Sequence, residues 1–215
     1  EIRFCDWSSD VCSSDLPLTG LSVLVTRPAP QAAVLAANIA ALGGEAVVLP
    51  AIEIEPVAAA VAGSHDLVIF ASVNAVEHGA RLINRTPTMR IAAIGKATAA
   101  ALAAAQMTPD IVPAAGFDSE ALLAHPDLSL APGSRVLIVR GSGGREMLQE
   151  TFAGQGCSVE MLDVYRRTLP AIDAAFLTEL EANWAAGGIN IVTATSVETL
   201  RNLTTLPVLD RKSVV

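Results

Sequence analysis

The sequence is short of cysteine, aromatic residues and charge, and each shortage closes off a class of function. Three cysteines in 215 residues cannot frame a disulfide scaffold, and without a CxxC pair they suggest no zinc site. Such sparse use fits a reducing compartment, so a cytoplasmic protein is expected. Only 17% of the residues are charged, and 14 Lys and Arg face 22 Asp and Glu. A net charge of −8 leaves no broad cationic face to displace counterions from a nucleic-acid backbone, so no nucleic-acid partner is expected. Long apolar runs are also missing. Pro, Gly or a charge interrupts each one before the roughly 18 residues that a membrane span requires, so a soluble protein without a membrane partner is expected. What remains is a composition with 52% hydrophobic residues, far from that of a disordered chain.

The first sixteen residues, EIRFCDWSSDVCSSDL, show neither helical nor strand periodicity, and they resemble translated sequencing adapter, as does the closing DRKSVV. Residues 1–16 and 210–215 are therefore read as a non-native leader and tail. Between them, short apolar runs alternate with helical stripes. LSVLVT is followed by Val34, Leu35, Ile39 and Leu42 at helical spacing, then by Gly43-Gly44 and AVVLP, which is a βαβ unit. DLVIFAS, RIAAIG, RVLIVRG, SVEMLDVY and INIVTAT have the same buried-strand character, with helices between them. The class is α/β with doubly wound parallel sheets.

Internal similarity points to two related halves. VLVTR and VLIVR each end on an arginine, Arg27 and Arg140, and each is followed by a glycine at the same spacing, Gly43 and Gly156. Ser72–Glu77 aligns with Thr193–Glu198. On this alignment the counterpart of Gly95 would fall at position 216, so the second copy is expected to lack its last part. The expected organisation is a discontinuous first domain, 17–50 with 171–209, and a second domain, 51–170. AIEIEP (51–56) and DVYRRTLP (163–170) are read as extended connectors that let the lobes open and close over a ligand.

In a parallel α/β sheet, ligands sit beyond the carboxyl ends of the strands, facing helix N-termini. The polar strand ends are therefore the candidate binding positions: Arg27, Ser72 and Asn74, Lys96 and Thr98, and the loop of Arg140, Gly141, Ser142, Gly144 and Arg145. Glycines that admit a ligand to the backbone, flanked by two arginines, suit a carboxylate or phosphate. The loop is neither GxxxxGK[ST] nor GxGxxG, which argues against nucleotides. The plainer readings make Ser142 a helix cap, Thr98 a first-turn residue, and Arg27 and Arg140 solvated charges. His65, His78 and His125 lack ligand spacing or a partner acid and are assigned no role; Cys157 reads as a small buried hydrophobe and Glu53 and Glu55 as a wet strand face. Tyr165, in a connector, either packs its ring or offers a donor. No nucleophile, metal cluster or general-base set emerges.

The segments LVTRP, LPAIEIEP, DLVIFASVNAVE, IAAIGKATAAAL, LIVRGSGGREML and VYRRTLP, in this order, resemble the uroporphyrinogen-III synthase family across nearly all of residues 17–209. The resemblance implies a bilobed, cofactor-free lyase that cyclises hydroxymethylbilane, a linear tetrapyrrole with eight carboxylates, inverting ring D and losing water. It implies that Tyr165 assists departure of the hydroxyl, while Arg27, Ser72, Asn74, Lys96, Thr98, Arg140, Gly141, Ser142, Gly144, Arg145 and Thr193 bind the acetate and propionate arms. A monomer is expected, with this small polycarboxylate as its partner. TATSVE is compressed relative to the family's usual turn, and the Gly-and-Thr segment after it is absent, so an inactive chain is a further expectation. The rival reading is a bilobed protein that closes on a small anion without chemistry.

Overall fold

The computed structural model of the chain describes residues 16–144 and 146–206. The adapter-like leader, apart from Leu16, and the 210–215 tail lie outside these residues. Two compact units divide the chain: Ile54–Arg167, and residues 16–53 with 168–206. Among the described residues no helix is long and apolar enough to cross a membrane.

The discontinuous unit holds a three-stranded sheet in the order β2-β1-β8, formed by β1 (Ser22–Val25), β2 (Glu45–Val48) and β8 (Ile191–Thr193), all parallel. The central strand SVLV is buried along its whole length, as a strand covered on both faces must be. Its alternate side chains go to opposite sides. Val23 and Val25 pack on Ala32 and Ile39 of α1 (Ala29–Ala41), whereas Leu24 packs with Leu180 of α6 (Ala174–Ala185) and Leu203 of α7 (Val197–Thr205). α1 opens on prolines, whose fixed φ suits the first turn, and its end is followed by Gly43 at φ +81°, a left-handed conformation that disfavours other residues.

The continuous unit holds a five-stranded sheet in the order β3-β7-β6-β4-β5. These strands are β3 (Glu53–Pro56), β4 (Leu67–Phe70), β5 (Arg90–Ala93), β6 (Arg135–Gly141) and β7 (Ser158–Thr168). The β7-β6-β4-β5 ladder is parallel. Period-two alternation again separates two cores. Val68, Phe70, Ile91, Leu137 and Val139 face α2 (Val73–Gly79) and α3 (Lys96–Ala104), where Val76 and Leu102 meet them. Leu67, Ile69, Val136 and Ile138 face α4 (Ser119–Leu123) and α5 (Met147–Gly154), where Leu122, Leu148 and Phe152 complete the layer. Each of these large side chains contributes roughly 1.5–3 kcal/mol by leaving water. Cys157 lies buried in the second layer.

Three local findings differ from the sequence reading. The extended segments around Ile54 and Tyr165 are neighbouring strands, β3 and the end of β7, hydrogen-bonded in one sheet. Glu55 is not only wetted: it accepts from Arg166 Nε at 2.7 Å. The alignment of Ser72 with Thr193 is displaced. Ser72 caps α2 by accepting from Ala75 N at 3.0 Å, and the residue that does the same for α7 is Ser196, accepting from Thr199 N at 3.0 Å. Thr193 is instead the last residue of β8.

Candidate functional site

β4, β5 and β6 end along one edge of the five-stranded sheet, where α2, α3 and α5 begin, so free helix N–H groups converge beyond that edge. An open pocket of about 270 Å³ lies there. The strand ends supply Ala71, Ile94, Arg140 and Gly141, β7 supplies Met161, Tyr165 and Arg167, and Phe117, Asp118 and Ser119 form its far wall.

A bulge aims Tyr165. β6 and β7 pair residue for residue up to Arg140 opposite Asp163, but Gly141 then pairs with Tyr165, so β7 carries one extra residue. Strict alternation would send Tyr165 to the opposite face from Val164. The inserted residue cancels one step, and both side chains join the same core. The ring is 1% exposed, so it is a core residue as well as part of the pocket wall, rather than a side chain displayed on a connector. It lies directly on Gly141: a Cβ there would sit 2.4 Å from the phenol Cζ and 2.8 Å from its oxygen. Glycine is required here for space alone. The phenol oxygen is 3.1 Å from Ser72 Oγ and accepts from an Arg167 guanidinium nitrogen at 3.3 Å, with the Arg167 guanidinium carbon 5.6 Å from the ring centroid and the half-buried His78 ring 6.1 Å away.

The remaining expected positions divide by unit. Arg140 Nε donates to Asp163 Oδ1 at 3.0 Å, which holds its guanidinium against the glycine loop, with Gly144 beside it. Ser142 is turned towards the backbone: its N–H donates to the Tyr165 carbonyl at 2.8 Å, so its main role here is to fasten the loop to β7. Arg145 lies outside the described residues. Asn74 is half-buried in the first turn of α2, Lys96 is exposed at the start of α3, and Thr98 is buried two residues further on. These three do not line the pocket.

In the other unit, Arg27 follows β1, and its Nε is buried with no partner among the described residues. Thr193 is already satisfied, because its hydroxyl donates to the Leu24 carbonyl at 3.1 Å and its carbonyl accepts from the Thr26 hydroxyl. That internal bonding removes the reason to read its side chain as a ligand.

Several site residues escaped the sequence reading. Arg167 stands two places after Tyr165 and carried a cationic signal that the connector reading hid. Phe117, 83% exposed on the pocket wall, belongs to GFDSE, where Asp118 caps α4 by accepting from Ala121 N at 2.8 Å. An acidic cap before a helix is a sequence signal, and the aromatic beside it could have been found from it. Gly95 lets this loop close in, since a Cβ there would sit 2.8 Å from Phe117 Cβ. His65 does have a partner acid: its Nε2 lies 2.8 Å from Glu160 Oε2, a pairing across 95 residues, and neither residue lines the pocket.

The sequence profile of uroporphyrinogen-III synthase HemD matches residues 33–211. Uroporphyrinogen-III synthase of Salmonella typhimurium is 34% identical over 199 residues, covering 86% of this chain and 80% of that protein. Its Escherichia coli counterpart is 32% identical over 201 residues, again covering 86% and 80%. In three dimensions, a mutant uroporphyrinogen III synthase of the extreme thermophile Thermus thermophilus aligns with a TM-score of 0.57 over 86% of this chain and 76% of that one. At 19% identity, that likeness is one of fold.

Proposed function

The chain belongs to the uroporphyrinogen-III synthase family, and from that premise we propose that it closes hydroxymethylbilane into uroporphyrinogen III with Tyr165 as the group that assists loss of water. The observation that carries the role of Tyr165 is the single polar atom of a buried ring, placed in the wall of an arginine-lined pocket at the carboxyl edge of the sheet. The family decides against a non-catalytic anion-binding protein.

The chemistry asks little of acid–base groups. The bond from the terminal carbon to its hydroxyl breaks, the pyrrole nitrogen lone pair fills the electron deficit at carbon, and the departing oxygen takes the phenolic proton and leaves as water. Attack by the substituted carbon of ring D gives a spiro intermediate. Its rearrangement and loss of a carbon-bound proton restore the phenol, so the only net loss is one water. Because electron release from nitrogen drives the first step, the reaction is proposed to need no cofactor. The harder task is positional: held ends of a flexible chain react as one molecule, an effect that can supply several kcal/mol and selects which carbon attacks.

The open pocket beside Tyr165 is proposed to hold one ring of the substrate with its arms. Arg140 is proposed to pair with a carboxylate of those arms, and glycine-loop N–H groups to bind them further. The N-termini of α2 and α3, with Asn74, Lys96 and Thr98, are proposed to take neighbouring carboxylates, with Ser72 holding the start of α2 in place, and Arg27, whose Nε is buried without a partner among the described residues, another. The protein is proposed to act as a cytoplasmic monomer. Tyr165→Phe tests the central role: turnover should fall by roughly a hundredfold, the scale of one proton-transfer group, with KM nearly unchanged. Unaltered turnover would return Tyr165 to a packing role.

A further inference from the structure

Resting on the proposed role of Tyr165, we infer that Arg167 is a positioning residue that, together with Ser72, turns the phenol into a donor facing the pocket. A guanidinium has donors and no acceptor, so the 3.3 Å contact from Arg167 occupies one lone pair of the Tyr165 oxygen. Ser72 Oγ accepts from Ala75 N at 3.0 Å and lies 3.1 Å from the phenol oxygen, a contact across which either hydroxyl can donate; in the inferred arrangement Ser72 is the donor. With both lone pairs accepting, the phenol's own O–H has no partner in this pair and turns to the space that Tyr165, Arg167 and Gly141 jointly line. The guanidinium also lies over the ring, where it faces the negative charge left on the oxygen when the proton has gone to the departing water.

The first test is a cycle of Arg167→Gln, Tyr165→Phe and the double variant, assayed on hydroxymethylbilane. Arg167→Gln should lower kcat by roughly tenfold or more, the scale of one charge-assisted hydrogen bond, with KM changed less than about twofold. Arg167→Lys should recover part of the loss. In the Tyr165→Phe background, Arg167→Gln should have no further effect. A raised KM with kcat preserved, or the same loss in the phenylalanine background, would make Arg167 a direct carboxylate ligand and overturn the inference. A silent Tyr165→Phe would instead remove the reading beneath it. The second test is independent of turnover. Tyr165 is the only tyrosine in the chain, so the Raman doublet of tyrosine reports this phenol alone. The intensity ratio should be that of a phenol that accepts as well as donates in the unaltered protein and move towards the donor-only range in Arg167→Gln; a donor-only ratio in the unaltered protein, or one that Arg167→Gln leaves in place, would refute the proposal.

Discussion

Replacing Gly141 with alanine tests whether the tyrosine is placed by sterics. Gly141 has no left-handed φ, so its backbone can carry a side chain without strain, and the whole cost lies in the space above it. An added Cβ would meet the phenol Cζ at 2.4 Å, Cε2 at 2.5 Å and the oxygen at 2.8 Å. None of these atoms is the loose end of a flexible chain: the ring is packed in the core, on a strand pinned by the bulge opposite Gly141. Overpacking of this kind costs about 1–3 kcal/mol. The denaturant midpoint should therefore fall with an unchanged slope. Because relief requires the ring to move, the phenol should also leave Ser72 and Arg167, and turnover should fall with stability. Tyr165→Leu makes room, so the double variant should be more stable than the sum of the two single changes predicts, by about 1 kcal/mol or more. Full stability and turnover in Gly141→Ala, or strict additivity in the cycle, would refute the reasoning.

Three further outcomes follow from the same geometry. Thr193→Val should leave KM unchanged in steady-state kinetics, because its hydroxyl is spent on the Leu24 carbonyl; a several-fold rise in KM would restore it as a substrate ligand. Ser196→Ala should destabilise the protein by about 1 kcal/mol in chemical denaturation by uncapping α7, and an unchanged midpoint would deny the cap. Phe117→Ala should weaken substrate binding several-fold with kcat held, if this exposed ring stacks on a pyrrole with the usual aromatic gain of about 0.5–1.5 kcal/mol; unchanged KM would make it a bystander.

The strands were legible because buried parallel strands need unbroken apolar runs: LVIF and VLIV can hardly be anything else between turn residues. The helix ends were legible where a residue such as Gly43, with its left-handed φ, marks them. The site was legible as strand ends, since the fold fixes which edge carries ligands. What stayed hidden depends on distant partners. Nothing in VYRRT announces that β7 gains a residue against β6, so the face shown by Tyr165 and the proximity of Arg167 could not be counted from sequence. His65 meets Glu160 only because β4 and β7 flank β6. Thr193 was mistaken for the counterpart of Ser72 because TATSVE offers three hydroxyl residues, and only the helix start selects Ser196.

The account's central claim is that this protein directs ring closure by holding its substrate, and the isomer of the product reads that directly. Freshly made hydroxymethylbilane, incubated with the chain and then oxidised, should yield type III porphyrin in excess over an enzyme-free control. A product that is all type I, formed at the control's rate, would contradict it.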